Sequence, residues 1–173
     1  MPTPKYLFAV LTVVLTIGLS GCSTDNKPDA ISMSEADVEQ ILNANLDAVD
    51  GRVPVNASDR PTLTQYGCKS SFPSALPEGP PWRYRVMRWY DDPTDTQIDQ
   101  WRTAALGLSA KGFTEQPAPT TRPNDDPRDI VMRDNRGFQV SLTVTTPPAD
   151  AELRVDLRAS SPCVQPPTPA SSR

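Results

Sequence analysis

Two neighbouring segments decide the fold of this 173-residue chain: Phe138-Gln-Val-Ser-Leu-Thr-Val-Thr145 and Leu153-Arg-Val-Asp-Leu-Arg-Ala159. In both, apolar and polar residues alternate, which is typical of a strand that buries one face and exposes the other. A third alternating segment around Ile130 and Met132 comes before them, and Asp134-Asn-Arg-Gly137 supplies the turn residues that follow it. The pattern predicts an antiparallel meander of three strands, whose buried face must be covered by other elements.

Two amphipathic helices upstream are the predicted cover. The first begins at a capping-box sequence, Ser32-Met-Ser-Glu35, and stops at Gly51. The second ends at Gly112, and Asp91 and Asp95 are expected to cap and charge-stabilise its first turn. Apolar residues recur at helical spacing in both segments: Val38, Ile41, Leu42, Leu46 and Val49 in the first, and Ile98, Trp101, Ala105 and Leu108 in the second.

A further strand is predicted between the two helices, over Trp82-Arg-Tyr-Arg-Val-Met-Arg-Trp-Tyr90, because aromatic and β-branched residues favour strands. Helices gathered on one face of an antiparallel sheet form a two-layer domain. We therefore predict an α+β fold, in which a two-layer domain has an antiparallel β-sheet covered on one face by two helices.

Proline-rich segments separate these elements. Residues 52–81 and 116–128 are predicted as loops, because proline removes amide donors from a strand ladder. Short strands around Val53–Val55 or Leu63–Tyr66 are an alternative interpretation within the first loop. The segment after Cys163 is rich in Pro and Ser and is predicted to be disordered.

The N-terminal segment has the pattern of an export signal. Lys5 precedes an uncharged apolar run, Tyr6 to Leu19, which is too short to cross a bilayer as a helix. Leu19-Ser-Gly-Cys22 then resembles the lipobox that lipoprotein signal peptidases cut, and this resemblance implies that Cys22 carries the lipid. The alternative is an ordinary secretory signal that ends near a cysteine.

The predicted organisation of the chain follows from that signal. Residues 1–21 are the lipoprotein signal peptide and 22–31 the lipidated tether. A single α+β domain occupies 32–163, and 164–173 form the disordered tail. We expect the domain to lie on the extracytoplasmic face of the cell membrane, anchored by acyl chains such as palmitate, because two or more chains hold a protein stably.

The other two cysteines, Cys68 and Cys163, are predicted to form a disulfide. An even number of cysteines in an exported chain favours a bridge, and two cysteines allow a single connectivity. A reactive thiol is the alternative. The chain has no histidine that would lower a thiol pKa, so the bridge is the preferred interpretation.

Composition excludes several functional classes. The formal net charge of −4 argues against nucleic acid as a partner and against a second, polybasic attachment to anionic lipid. The absence of histidine removes Ser-His-Asp and Cys-His nucleophile systems and most zinc sites. We therefore expect no enzyme activity, no catalytic residue, no metal and no cofactor.

Acidic residues cluster at two places, and these clusters are the remaining candidates for catalysis or calcium. They are Asp91, Asp92, Asp95 and Asp99 in the first cluster, and Asp125, Asp126 and Asp129 in the second. A proline interrupts the first cluster where a calcium loop would need a ligand. Helix capping and solvation explain the aspartates better than either activity.

Two interpretations of the strand Trp82–Tyr90 are open. Its arginines alternate with aromatic residues, an arrangement that suits stacking on a sugar or binding a phosphate or carboxylate of an envelope polymer. In such a recognition strip Trp89 would act with Arg85 and Arg88. Alternatively, the strand buries Trp82, Tyr84 and Val86 toward the helices while its arginines extend outward. Trp89 then lies on the arginine side. The second, structural interpretation is favoured.

The whole arrangement resembles the LppA-type lipoproteins of mycobacteria and their actinobacterial relatives. The shared features are the lipobox cysteine, an N-terminal helix, a cysteine before a strand–helix unit that ends in Lys111-Gly-Phe-Thr-Glu115, Gly137-Phe138 at the start of a hairpin strand, and a cysteine after the last strand. The resemblance covers most of the chain after the signal. It implies no catalytic residues and no assigned activity.

We therefore expect a membrane-anchored lipoprotein of the cell envelope that acts as a non-catalytic binding or interaction module. Its expected partners are the membrane, reached through the lipid, and an envelope protein or glycan. The alternative is a carrier that holds a lipid or hydrophobic small molecule between the helices and the sheet.

Overall fold

The computed structural model describes residues 30–51, 63–70, 77–117, 126–145 and 153–167. The predicted signal peptide, the lipidation site Cys22 and most of the tether lie outside the described residues. So do Asp125 and the final part of the predicted tail, 168–173.

The described chain forms eight strands and two α-helices. In order they are β1 (Ala30–Ser32), α1 (Glu35–Asp50), β2 (Thr64–Ser70), β3 (Pro77–Asp91), α2 (Asp95–Gly107), β4 (Thr114–Glu115), β5 (Ile130–Arg133), β6 (Gln139–Thr145), β7 (Arg154–Ser160) and β8 (Cys163–Gln165). A short 3-10 helix, Leu108–Lys111, continues α2. No helix within these residues is long and apolar enough to cross a membrane.

All eight strands belong to one sheet, in the order β1-β8-β3-β7-β6-β5-β4, with β2 paired to β3. The pairs are antiparallel, except that β1 runs parallel to β8. The long strand β3 pairs with β2 along its first half and with β7 along its second half.

The predicted meander is confirmed as β5, β6 and β7. The turn between β5 and β6 is held by Asp134, whose buried carboxylate accepts hydrogen bonds from the backbone amides of Arg136 and Phe138 at 3.0 and 2.8 Å. Gly137 adopts φ +94°, a conformation that glycine reaches at little cost.

Both helices begin at residues other than the predicted caps. Ser34, not Ser32, caps α1: its side chain accepts the backbone N–H of Asp37, whereas Ser32 is the last residue of β1 and belongs to the sheet. Thr94 caps α2 in a capping box with Gln97, whereas Asp91 closes β3 and Asp95 is the first helical residue. The predicted ends hold: Gly51 and Gly112 have positive φ, the first after α1 and the second after the 3-10 helix.

The core lies between the helices and one face of the sheet, so the predicted α+β class is confirmed. The fully buried side chains come from both layers: Val38, Leu42, Leu46, Ile98 and Leu108 from the helical layer, and Val86, Val140, Leu142 and Leu157 from the sheet. At about 25 cal/mol per Å² of apolar surface, this contact between the layers is the main term that stabilises the domain.

The sheet is larger than predicted. Residues 67–70 and 77–81, predicted as coil, belong to β2 and β3, and the short strand left open around Leu63–Tyr66 is present as the start of β2. The folded part is also wider than the predicted 32–163, because Ala30 and Ile31 pair with Cys163 and Val164. Short edge strands carry too few residues to show alternation, and Pro77, Pro80 and Pro81 disguise the first part of β3.

Candidate functional site

The sheet has one face that no described helix covers. On β6 and β7 the apolar residues point toward the helices, and the alternate residues, which point away, are only partly buried or exposed. The same alternation in β3 directs Tyr84, Val86 and Arg88 to the helices and Arg83, Arg85 and Trp89 to the opposite side.

Arginines concentrate on this uncovered side, which we call the arginine face. It contains Arg83, Arg85, Arg133, Arg154 and Arg158, together with Tyr66 and Trp89. Its acidic residues within the described chain are Asp91 and Asp156. Five arginines against two aspartates give this face a net charge of +3, although the whole chain carries −4.

Aromatic rings orient two of these arginines. The guanidinium carbon of Arg85 lies 4.6 Å from the ring centre of Tyr66, and that of Arg154 lies 5.6 Å from the ring of Trp89. Both distances are within the range of cation–π attraction. A guanidinium that rests on a ring keeps its N–H edge directed sideways, where it can meet a carboxylate or phosphate with two parallel hydrogen bonds.

Four of the five arginines form no ion pair with an acidic residue within the described part of the chain: Arg83, Arg85, Arg133 and Arg158. Arg154 lies 3.5 Å from Asp156 and 3.8 Å from Asp91. The positive charge of the arginine face is therefore largely uncompensated by the residues around it.

Three of the unpaired arginines enclose a region without acidic residues. A row of paired positions crosses four strands: Arg85 of β3 pairs with Ser160 of β7, Ser160 pairs with Gln139 of β6, and Gln139 pairs with Arg133 of β5. This row spans three strand spacings, about 14 Å. Arg158 pairs with Ser141 and is two residues from Ser160, the partner of Arg85. It is therefore diagonal to Arg85, at about 7–8 Å between their backbone positions. We call Arg85, Arg133 and Arg158, with Ser141, Ser160 and Gln139 between them, the arginine triangle.

Arg88 is not part of this surface, and its predicted outward orientation is wrong. It lies on the helix side, where its guanidinium donates to Asp50 at 2.6 Å and to Asp47 at 2.8 Å. Tyr90 also donates to Asp50, at 2.7 Å. Burial by itself lowers the pKa of Arg88, but its hydrogen bonds to Asp50 and Asp47 outweigh burial and raise the pKa above its ordinary value. Burial, reinforced by the hydrogen bond to Asp50, raises the pKa of Tyr90.

The structure thus divides the predicted recognition strip between two faces. Arg85 and Trp89 lie on the arginine face, and Arg88 joins α1 to β3 beneath the sheet. Arg133, Arg154 and Arg158 were missed as binding residues, although the alternation of β7 already assigned Arg154 and Arg158 to the polar side.

The two acidic clusters are tied together by Arg128. Its guanidinium bonds Asp126 at 2.9 Å and Asp95 at 2.5 Å, and its hydrogen bonds hold the pKa of Asp126 below the usual value. Asp129 accepts the backbone N–H of Val144 at 2.7 Å. Within the described residues no group of acidic, cysteine or histidine side chains has the arrangement of a metal site.

The predicted bridge is present: Cys68 and Cys163 form a disulfide with Cα atoms 6.0 Å apart. It joins β2 to β8, and both strands flank the first half of β3. Cys68 therefore lies in a strand, whereas the sequence placed it in a loop.

A shallow, open depression lies on the solvent side of α2, lined by Thr96, Asp99, Gln100, Thr103 and Ala104. The positions between helices and sheet are occupied by side chains less than 2 % exposed, among them Phe138, Leu42 and Leu157.

Comparison with known proteins gives no identification, since no protein-family model, no curated protein and no solved structure matches this chain. The resemblance to LppA-type lipoproteins stays an expectation from the sequence.

Proposed function

We propose that this protein is a lipid-anchored component of the cell envelope, whose folded domain is a non-catalytic binding module. Export and anchoring rest on the sequence, through the apolar run before Leu19-Ser-Gly-Cys22. Binding is assigned to the arginine face, which meets a negatively charged partner outside the cell membrane.

The observation that carries the proposal is the separation of charge between the two layers. Unpaired arginines gather on one face of an otherwise acidic molecule, where their mutual repulsion lowers the stability of the fold. A binding function would explain why they are nevertheless placed there. An oppositely charged partner would compensate these charges and gain from their orientation.

The carrier alternative requires room between the layers. The interlayer side chains of the described chain are tightly buried, and the shallow depression described above is on the solvent side of α2. No observation in the described part of the molecule favours a carrier, so we propose the binding module alone.

Binding of the chain from Ser23 to Arg173, which contains every described element, to the washed envelope fraction of the source organism tests the proposal. We expect the unaltered protein to sediment with the envelope. The variant Arg85→Gln/Arg158→Gln should lose at least tenfold in affinity, because it removes two unpaired guanidinium groups from the same surface.

Arg102→Gln is the matched control. Arg102 is a partly buried arginine of α2, forms no ion pair within the described residues, and belongs to the other layer. If Arg102→Gln weakens sedimentation as much as the Arg85/Arg158 pair, the arginine face is not the contact surface. If the unaltered protein does not sediment at all, the domain is not an envelope-binding module.

A further inference from the structure

We propose that the arginine triangle is a binding site for an acidic polysaccharide, whose carboxylate or phosphate groups are held by Arg85, Arg133 and Arg158. The inference rests on the proposed function, because it uses the same face, and it adds the site and the chemical class of the partner.

The first argument is the spacing of the charges. Arg85 and Arg133 lie at the two ends of a row about 14 Å long, and Arg158 lies beside this row, on the strand next to Arg85 and diagonal to it. Arg83 lies two residues from Arg85 along β3, about 7 Å away at right angles to the row. Positive groups repeated at such intervals suit a linear ligand that carries one anionic group after another, rather than a single small anion.

The second argument is the chemistry between the charges. Ser160, Gln139 and Ser141 occupy the positions between the arginines and are only partly buried. Hydroxyl and amide groups both donate and accept hydrogen bonds, as the hydroxyl groups of a sugar do. Uncharged polar groups between fixed cations are what an acidic sugar chain would use.

The same details argue against two other anionic surfaces. A membrane-binding face needs apolar side chains that enter the headgroup region, whereas the apolar side chains on this face, Met87, Trp89 and Val131, are partly buried, and Arg154 lies over the ring of Trp89. Single-stranded nucleic acid binds by stacking its bases on open aromatic faces, and the ring of Tyr66 is likewise occupied, by Arg85.

The test is equilibrium binding of the chain from Ser23 to Arg173 to polygalacturonate and to phosphomannan, a polysaccharide with phosphodiester groups, at 0.15 M salt, where the screening length is about 8 Å. Fully methyl-esterified polygalacturonate, which has the same backbone without charge, is the control ligand. We expect at least one of the two polyanions to bind and the ester to bind at least tenfold more weakly. Binding of neither polyanion, or equal binding of the ester, overturns the inference.

Protein variants locate the site. Arg85→Gln/Arg158→Gln should weaken polyanion binding at least tenfold, and Arg102→Gln should change it less than twofold. Arg85→Lys/Arg158→Lys keeps the charge but loses the planar fork, so it should weaken binding about threefold or more. Unchanged binding by the lysine variant would mean general attraction instead of a site, and would overturn the assignment. Urea midpoints of all variants within error of the unaltered protein show that folding is preserved.

Two competing ligands separate this inference from the proposed function. Vesicles with phosphatidylglycerol and a single-stranded DNA 12-mer should bind more weakly than the preferred polyanion. If either binds more tightly with the same dependence on Arg85 and Arg158, the polysaccharide is the wrong partner, while the arginine face remains a binding surface. Failure of envelope sedimentation, by contrast, removes the proposed function itself.

Discussion

Arg88 and Asp50 form the most fully buried ion pair among the described residues. The side chain of Arg88 is 7 % exposed, and the side chain of its partner Asp50 is 0 % exposed. Removing one member of a buried ion pair leaves the other charge without compensation in a poorly solvated place. The pair therefore fixes the position of α1 on β3 more than it adds net stability.

Replacing Arg88 with Met should lower the free energy of unfolding by about 3–5 kcal/mol, because the buried carboxylate of Asp50 then loses its ion pair with Arg88. Urea unfolding of the chain from Ser23 measures the loss. The double variant Arg88→Met/Asp50→Asn should be less destabilised than Arg88→Met alone, since no buried charge remains. Arg102→Met is the control, and a loss of less than about 1 kcal/mol is expected for it. An equally small loss for Arg88→Met would contradict the role of the pair.

Two tryptophans on opposite faces of the sheet provide a second residue-level prediction. Trp101 is 6 % exposed and its ring centre lies 4.4 Å from that of Tyr90, whereas Trp89 is only partly buried on the arginine face. Trp101→Ala should cost about 3–5 kcal/mol, as for other core tryptophans, and Trp89→Ala about 1–2 kcal/mol. Urea midpoints at constant slope give both values. Equal losses would show that Trp89 is ordinary core.

The sequence already contained a signal for the inward position of Arg88. Arg88 has the same parity as Tyr84 and Val86, which were predicted to face the helices, so the alternation of β3 already placed it inward. Its partners Asp47 and Asp50 are adjacent in sequence to Leu46 and Val49 of the buried stripe of α1. The strand alone does not show that Arg88 can be buried, because a buried arginine needs acidic partners, and those of Arg88 lie about 40 residues away in sequence.

Among the elements, the disulfide carries the clearest expectation. It closes a loop with a sequence separation of 95 residues, for which chain entropy gives up to about 4–5 kcal/mol. Reduction, or Cys68→Ser/Cys163→Ser, should lower the free energy of unfolding by about 2–5 kcal/mol, and the loss of both cysteines should make the protein insensitive to reductant. Thiol trapping under denaturing conditions should find no free thiol at either position before reduction, and two free thiols would contradict the bridge.

The elements that could be predicted are the ones long enough to show a period. β6, β7, α1 and α2 repeat their apolar positions over several turns or pleats, so the layers and the covered face followed from the sequence. β1, β4 and β8 have two or three residues each, and their strand state depends on a neighbour across the sheet. Such contacts are set by tertiary structure, which a local pattern does not record.

For the whole molecule, the net charge and the charge of the uncovered face differ in sign. The chain carries −4, which argued against nucleic acid and anionic lipid as partners, whereas the uncovered face carries +3. Only the sheet register brings Arg85 of β3, Arg158 of β7 and Arg133 of β5 to one surface. The arginine face therefore could not be assembled from the sequence, although the alternation of each strand contributed to it.

The proposed lipid anchor also concerns the whole chain. Cys22→Ala should remove incorporation of labelled fatty acid and release the protein from the membrane fraction, because the thiol is the predicted attachment point. Metabolic labelling followed by detergent phase partitioning measures both effects. Ser23→Ala, next to the site, should keep the label. A Cys22→Ala protein that still carries label and remains in the membrane fraction would show that the anchor lies elsewhere.

The parallel pairing of β1 with β8 determines how the domain would withstand a mechanical load. A pull on the chain at Ala30 acts along β1, so the contacts of Ala30, Ile31 and Ser32 with β8 resist it together, in shear, instead of opening one after another. From Cys163 at the start of β8 the load passes through a covalent bond to Cys68 in β2. A force applied at the N-terminus is thereby distributed across the middle of the sheet, and traction along that route is opposed by a covalent bond as well as by hydrogen bonds.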